Sequence, residues 1–249
     1  MTTKNFLFLI IIILCSCQSQ KQKGYKISTI DSSLQVKIDS MLQNRLSEFE
    51  ATSGQVIVME VQTGEIKASV GTELTPQESG LVRTASLLTA LETKAIQLSD
   101  TVDVGNGILT IGKDTLLDHN WYKGGYGKIT IQQGFGLSSN IANYKTAKHT
   151  FKDAQAFAKA LTKYGYQVKD TSLVYNPSGY GVFTTPLQNL TFYNAIAQGM
   201  IGDKTAVNNI KRALEYTVTD GLARPAMSDE VKIAGATGTI RKYSANYRY

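Results

Sequence analysis

The sequence predicts an α+β fold, helices beside an antiparallel sheet, and three observations carry that expectation. Two β-rich runs flank a Thr63-Gly64 turn in "GQVIVMEVQTGEIKASVG". Helix-patterned segments then follow one another through most of the remaining chain. Near the end, "VKIAGATGTI" reads as one more strand, broken by glycines. Strands first, helices next and a strand last is the order of an antiparallel sheet flanked by helices, with an all-helical part between.

The 249 residues suffice for one large domain or two small ones. A hydrophobic content of 42% and a charged content of 18% fit a folded globular chain rather than a disordered one. The formal net charge is +6, but no block of five or more like charges occurs, which argues against a nucleic-acid partner.

Taken in order, Met1 to Ser16 carries Lys4 and then an unbroken apolar run from Phe6 to Cys15. The run is too short to span a bilayer and fits a secretory segment. It ends in Leu14-Cys15-Ser16-Cys17, which resembles a bacterial lipobox. That resemblance implies cleavage before Cys17, diacylation of its thiol and stable anchoring by two lipid chains. Processing would remove Lys4 and Cys15, leaving no free thiol for a disulfide, a catalytic cysteine or a CxxC metal site. The expected layout is a lipoprotein signal peptide over residues 1–16, a tether over 17–30 and a single domain over 31–249.

Asp31 reads as an N-cap, with Leu34, Ile38, Met41, Leu42 and Phe49 following at helical spacing. The hairpin over Gln55–Gly71 comes next. It is expected to pack on that helix and, beneath, on a helix over Thr84–Ala95. "QESGLVRTASLLTALE" opens this second helix, with Ser79 or Gly80 as its cap; it is apolar on nearly all sides and therefore buried. "ILTIGKDTLLDHNWY" suggests a smaller hairpin. Helices follow near Thr130–Phe135, Ser139–Lys148 and Asp153–Tyr164. Thr185-Pro186 starts another, a cap followed by proline in the first turn, and a last helix runs over Thr205–Thr219. His119 and His149 lack ligand spacing, and Gly124-Gly125-Tyr126-Gly127 precedes no phosphate-binding lysine pattern. Neither a metal site nor a cofactor is expected.

Three stretches point to one chemistry: the turn opening the buried helix, "SSN" at Ser138–Asn140, and "GATGT" at Gly235–Thr239. Together with "SGQVIVMEVQTGEIKASVG", "GYGVFTTPLQNLTFYNAIAQG" and "VTDGLARPA", in that family's order, they resemble the transpeptidase domain of penicillin-binding proteins, class B type. The resemblance spans about Ser53 to Thr239. It implies the transpeptidase/β-lactamase-like fold, a bacterial cell-envelope location on the periplasmic side, and contact with peptidoglycan stem peptides or envelope proteins. In that family a helix begins S-x-x-K, a loop carries S-x-N and a strand carries K-T-G. The serine attacks a D-Ala-D-Ala carbonyl or a β-lactam, a neutral lysine takes its proton, and two backbone N–H groups bind the oxyanion.

Carried over residue by residue, the nucleophile position is Leu81, the base position Thr84 and the K-T-G lysine position Ala236. Ser138, Asn140, Thr237, Gly238 and Thr239 remain as candidate cleft residues. Ser79 lies about 200° around the helix from Leu81, so it is expected to cap rather than attack. Arg83 is about 100° from the base position and stays protonated, so it cannot act as a base. No S-x-x-K occurs, and Thr110–Lys113, a T-x-x-K, falls in the second hairpin. Losing one member of such a constellation removes a factor of about 10⁴ or more in rate. The leading expectation is an inactive, lipid-anchored, binding protein; the alternative is a working D,D-transpeptidase or β-lactamase with penicillin-binding activity and an unrecognised nucleophile. The family also places two strands and a closing helix after K-T-G, between the first hairpin and the K-T-G strand. Their absence from this sequence implies a fragment of a longer chain or an early stop, or else an incomplete fold, and predicts an exposed last strand with a cleft left empty beside it.

Overall fold

The computed structural model describes residues 29–239; Cys17, the lipobox and the tether up to residue 28 lie outside the described residues. Helix α1 spans Ser32–Glu48, and the Asp31 carboxylate caps it by accepting from Leu34 N. Strands β1 (Gln55–Met59) and β2 (Ile66–Gly71) form the expected antiparallel hairpin, in register from Gln55 opposite Gly71 to Met59 opposite Ile66, with a bulge between Val58 and Met59. The bulge absorbs one extra residue, Lys67, after the turn in which Gly64 takes a positive φ of 71°.

The outer edge of β2 is covered by a side chain of α1. The Gln35 amide donates to Ser69 O at 3.0 Å and accepts from Ser69 N at 2.9 Å, standing in for a third strand. Leu42, the buried residue of α1, rests on the end of the hairpin. A Cβ on Gly71 would come within 2.6 Å of Leu42 Cδ2 and 2.2 Å of Gly54 O, so only glycine fits there. Met41 and Phe49 depart from the expected packing: they are 55% and 69% exposed. The hairpin is too narrow to cover more than one stripe of α1.

Strand β3 (Gln77–Glu78) leads into a single 3₁₀ turn at Gly80–Val82 and then helix α2, Arg83–Glu92. Every residue of α2 from Arg83 to Leu91 is buried, as the sequence predicted. Next come β4 (Thr101–Asp103), the small hairpin β5 (Ile108–Ile111) with β6 (Asp114–Leu117), and β7 (Lys128–Thr130), which pairs back with β4. Helices α3 (Ile131–Gly136), α4 (Asn140–Thr150) and α5 (Ala154–Thr162) are capped by Thr130, Ser139 and Asp153. Strands β8 (Gln167–Val168) and β9 (Val182–Thr184) follow, with β9 lying between β3 and β8. Helix α6 (Pro186–Gln198) starts with a Thr185–Gln188 capping box and proline in its first turn; α7 spans Lys204–Thr219.

The core is helical and centred on α2. Val82, Leu88 and Leu91 pack with Phe135, Phe157, Phe192 and Ile210 from the surrounding helices. A second, smaller cluster of Val104, Leu116, Ile129, Ile141 and Ala142 supports the β5–β6 hairpin on α4. Helix α6 lies mainly against β1, and α1 mainly against β2. This corrects the expectation that α2 would lie beneath the hairpin: α2 packs among α4, α5 and α7. Gln198 Nε2 donates to Val61 O, tying the end of α6 to the β1–β2 turn.

The chain is thus α+β, with its strands in four small antiparallel sheets among the described residues. The expected last strand is the second correction. Among the described residues, 232–239 form no strand and no other strand pairs with them, so no ladder fixes an extended run there.

Candidate functional site

The turn before α2 is built by Ser79, whose Oγ accepts from Leu81 N at 3.3 Å. Ser79 is therefore a cap, as expected. Leu81 helps to line a cavity of about 450 Å³, together with Ile57, Glu78, Leu190, Tyr193 and Ala236. Leu81 and Ala236 thus share one largely apolar hollow. The cleft is not empty along its whole length, however. A Cβ on Gly80 would lie 2.8 Å from Gly238 Cα, and one on Gly238 would lie 2.7 Å from Leu81 N. The end of the described chain rests directly on the turn, and glycine at both positions permits that approach.

Thr84 is fully buried. Its hydroxyl pairs with Tyr193 Oη at 2.7 Å, and Tyr193 Oη also donates to Leu81 O at 3.4 Å. Burial pushes the Tyr193 pKa up to about 12, against the opposing pull of the Thr84 hydrogen bond. Both hydroxyls are therefore neutral at physiological pH, and neither is a base.

Arg83 was ruled out as a base from its angle and its basicity, but its actual place was not legible in the sequence. It is only 7% exposed, and its Nη2 donates to Asn140 Oδ1 at 3.2 Å. A long side chain reaches what a position 100° around the helix would not suggest. Burial pulls its pKa below the ordinary arginine value, opposed by Tyr180, Asp118 and Tyr193.

The Ser138–Asn140 loop is held by Asp118, which the sequence reading passed over. Asp118 is fully buried at the end of the small hairpin. It accepts from Ser139 Oγ at 2.7 Å and from Ile141 N at 3.1 Å, where a carboxylate also suits the positive end of α4. Burial raises its pKa, and the Ser139 and backbone hydrogen bonds oppose that rise. Asn140 Nδ2 donates to Leu117 O at 2.8 Å. Ser138 adopts a positive φ of 54°, uncommon for a residue with a side chain, and its hydroxyl lies 3.4 Å from Thr237 Oγ1. The signal in the sequence was a short acidic residue closing a hairpin, too common to stand out. His119, beside it, pairs with the Tyr126 hydroxyl at 2.9 Å.

A third wall comes from the loop before β9. Glu78 Oε1 accepts from Gly181 N at 2.6 Å, and Asn143 Nδ2 donates to Ser178 Oγ at 3.4 Å. A Cβ on Gly179 would meet Ser79 O at 2.1 Å, so this loop is pressed onto the turn. Gly235 N donates to Leu214 O at 3.1 Å and fixes the last segment on α7. The structure therefore brings Leu81 and Ala236 to one hollow, Gly238 onto the turn, Ser138 beside Thr237, Asn140 to Arg83, and Thr84 to Tyr193. Among the described residues the one hydroxyl on the turn before α2 is that of Ser79, engaged as the cap on Leu81 N. Among the described residues, no group of three or more His, Cys, Asp or Glu side chains is placed to hold a metal.

Comparison with known structures finds the same fold. A peptidoglycan glycosyltransferase from Burkholderia ambifaria superposes with a TM-score of 0.76 at 20% identity, covering 86% of this chain and 81% of that one. The transpeptidase domain of Burkholderia pseudomallei penicillin-binding protein 3 gives 0.78 at 20% identity, covering 90% and 80%. The D,D-transpeptidase domain of a peptidoglycan glycosyltransferase from Eggerthella lenta gives 0.71 at 17% identity, covering 86% and 71%. No curated protein matches by sequence. The sequence matches the penicillin-binding protein transpeptidase domain over residues 54–249, most of its length, and the chain belongs to that family.

Proposed function

We propose that this chain is an envelope lipoprotein of the transpeptidase family that has lost turnover and acts by binding, holding peptidoglycan stem peptides or cell-wall proteins in its cleft. The observation that carries the reading is Leu81. It stands on the turn where acyl transfer needs a hydroxyl, and it lines a largely apolar hollow. The position one helical turn later is Thr84, bonded to Tyr193, and the third is Ala236. Ser138, Asn140, Thr237, Gly238 and Thr239 supply the surface a peptide would meet.

In this reading residues 1–16 are removed, Cys17 is diacylated, residues 17–30 are the tether and residues 31–249 the binding domain on the periplasmic side. The family works in the cell envelope, and the lipobox motif supports anchoring there. Binding is tested by sedimentation with purified peptidoglycan sacculi. The protein should pellet with intact sacculi and be released by soluble stem peptide; a protein that stays in the supernatant contradicts the reading. Anchoring is tested by Cys17→Ser, which should move the protein from the membrane fraction to the soluble or unprocessed pool. Unchanged membrane association with cleavage still occurring would overturn the lipobox assignment.

A further inference from the structure

The small hairpin β5–β6 has one face in the core and one outside. Leu109 and Leu116, an opposed pair, pack in the smaller cluster, so the opposed pairs on either side, Ile108 with Leu117 and Thr110 with Thr115, lie on the outer face. The chain then passes through a 3₁₀ turn, Trp121–Lys123. A Cβ on Gly107, next to Ile108, would lie 3.0 Å from Trp121 Cα, and one on Gly125 would lie 2.2 Å from Asn106 C, so glycine lets this turn close onto the base of the hairpin. Its backbone is pinned, with Trp121 N donating to Asp118 O at 3.1 Å and Lys123 N to Asn120 O at 2.8 Å. Yet Ile108, Leu117, Trp121 and Tyr122 are between 42% and 65% exposed. Large apolar side chains held in water by a fixed backbone mark a surface that meets something.

The Trp121 and Tyr122 rings stand at 85°, their centroids 6.3 Å apart, and form a corner. The acids that border it are engaged: Asp114 Oδ1 accepts from Tyr175 Oη at 2.8 Å, and Asp118 is bonded to Ser139 and Ile141. The Lys123 ammonium lies 5.6 Å from the Tyr122 ring centroid. The surface therefore offers ring faces, aliphatic carbon and threonine hydroxyls, which suit a neutral ligand with flat C–H faces and hydroxyls at its edges. The four apolar side chains expose roughly 400 Å², taking about 200 Å² for each residue, which is about half of the ~800 Å² that one side of a stable protein interface covers. We infer that this corner is a stacking platform for the glycan strand of peptidoglycan. In β-linked N-acetylated amino sugars the ring substituents are equatorial, so each face presents C–H bonds to an aromatic ring. The position agrees: Leu117 O accepts from Asn140 Nδ2 at 2.8 Å, so the hairpin adjoins the cleft, and the glycan is what a stem peptide hangs from. The inference rests on the reading that the protein binds peptidoglycan, and it adds the polymer's saccharide to the peptide.

Trp121 is the only tryptophan of the chain, so its emission reports on this platform alone. The full chain in detergent is titrated with tetra-N-acetylchitotetraose and, as a control, with maltotetraose, whose α-linked chain curls and carries no acetamido groups. Emission should shift and saturate with the first and stay unchanged with the second. Tyr122→Ala keeps the fluorophore and should weaken the saccharide about fivefold; Trp121→Ala, followed by calorimetry, should weaken it about tenfold. If Trp121→Ala does not fold, the more exposed Tyr122 carries the test. No shift at millimolar saccharide, an equal response to maltotetraose, or an affinity unchanged in folded Tyr122→Ala would overturn the platform. A shift that follows protein concentration alone would put a second copy of the chain on the rings and overturn it too. Sacculi separate this inference from the reading it rests on. Pelleting with intact sacculi but not with sacculi stripped of peptide by an amidase would remove the platform and leave peptide binding standing. Pelleting with both, with no release by soluble stem peptide, would leave the platform standing without the peptide cleft.

Discussion

The turn at Gly80–Thr84 and the loop at Ser138–Asn140 meet through the Arg83–Asn140 hydrogen bond, yet they are built from opposite materials. In the loop, each of the three side chains has a polar partner: Thr237 for Ser138, Asp118 for Ser139, and Leu117 and Arg83 for Asn140. In the turn, Leu81 is an apolar residue lining a cavity and Thr84 is joined to a neutral tyrosine. The difference teaches that the shape of such a cleft does not depend on the groups that would react in it. Caps, a buried carboxylate and close glycine contacts hold the walls. On the proposed reading, Leu81, Thr84 and Ala236 occupy the family's reacting positions while that frame stays.

The strongest way to break that comparison is to unpin the loop. Asp118→Ala removes the acceptor for Ser139 Oγ and Ile141 N at a fully buried position. It should cost about 3 kcal/mol, as for other buried networks that lose a charged member. Urea denaturation measures this, and a loss below about 1 kcal/mol would mean the loop is held by something else.

The same carboxyl gives a pH signature. Burial raises its folded-state pKa, so the folded protein binds that proton more tightly than the unfolded chain does. The contribution is full below the ordinary carboxylate pKa of about 4 and declines as pH rises through the raised value. Asp118→Asn should flatten that part of the profile. Urea midpoints for both proteins between about pH 4 and pH 7 check it; identical slopes would contradict the assignment.

On the turn side the effects are smaller. Tyr193→Phe removes the hydroxyl bonded to Thr84 and Leu81 O, leaves Thr84 Oγ1 buried without that partner, and should cost about 1–2 kcal/mol. Ser79→Ala removes only the cap on Leu81 N, a long bond at 3.3 Å, and should cost about 0.5–1 kcal/mol. Thermal unfolding of the two variants should rank them in that order; a larger loss for Ser79→Ala would show that the cap, not the Thr84–Tyr193 pair, organises the turn.

Much of this architecture was readable because it is local. Asp31, Thr130, Ser139, Asp153 and Thr185 announce helix starts through their own side chains, and each caps the helix expected of it. The Gln55–Gly71 hairpin follows from alternation and a turn. What failed was non-local. Residues 232–239 have strand-like composition, but a strand exists only through its partner, and composition does not reveal whether one is present. Met41 and Phe49 keep helical spacing with Leu42, yet the hairpin beside them covers a single stripe. The three- and two-residue strands β4, β7, β8 and β9 are too short for any periodicity to show. In the site, Leu81, Thr84 and Ala236 are picked out by motif resemblance, and their roles belong to the proposed function. Arg83, Tyr193 and Asp118 could not, because their importance lies in partners 57, 109 and 21 residues away.

The central claim is that this frame no longer supports acyl transfer, and one measurement tests it most directly. The full chain is incubated with a fluorescent penicillin, alongside Leu81→Ser and the triple variant Leu81→Ser, Thr84→Lys, Ala236→Lys, and each is examined by intact mass. The wild type should show no covalent adduct, since Leu81 offers no nucleophilic atom. Leu81→Ser should show none either, because Thr84 and Tyr193 supply no base; all three changes are the minimum from which labelling could return. A wild-type mass increase equal to one ring-opened penicillin would contradict the account.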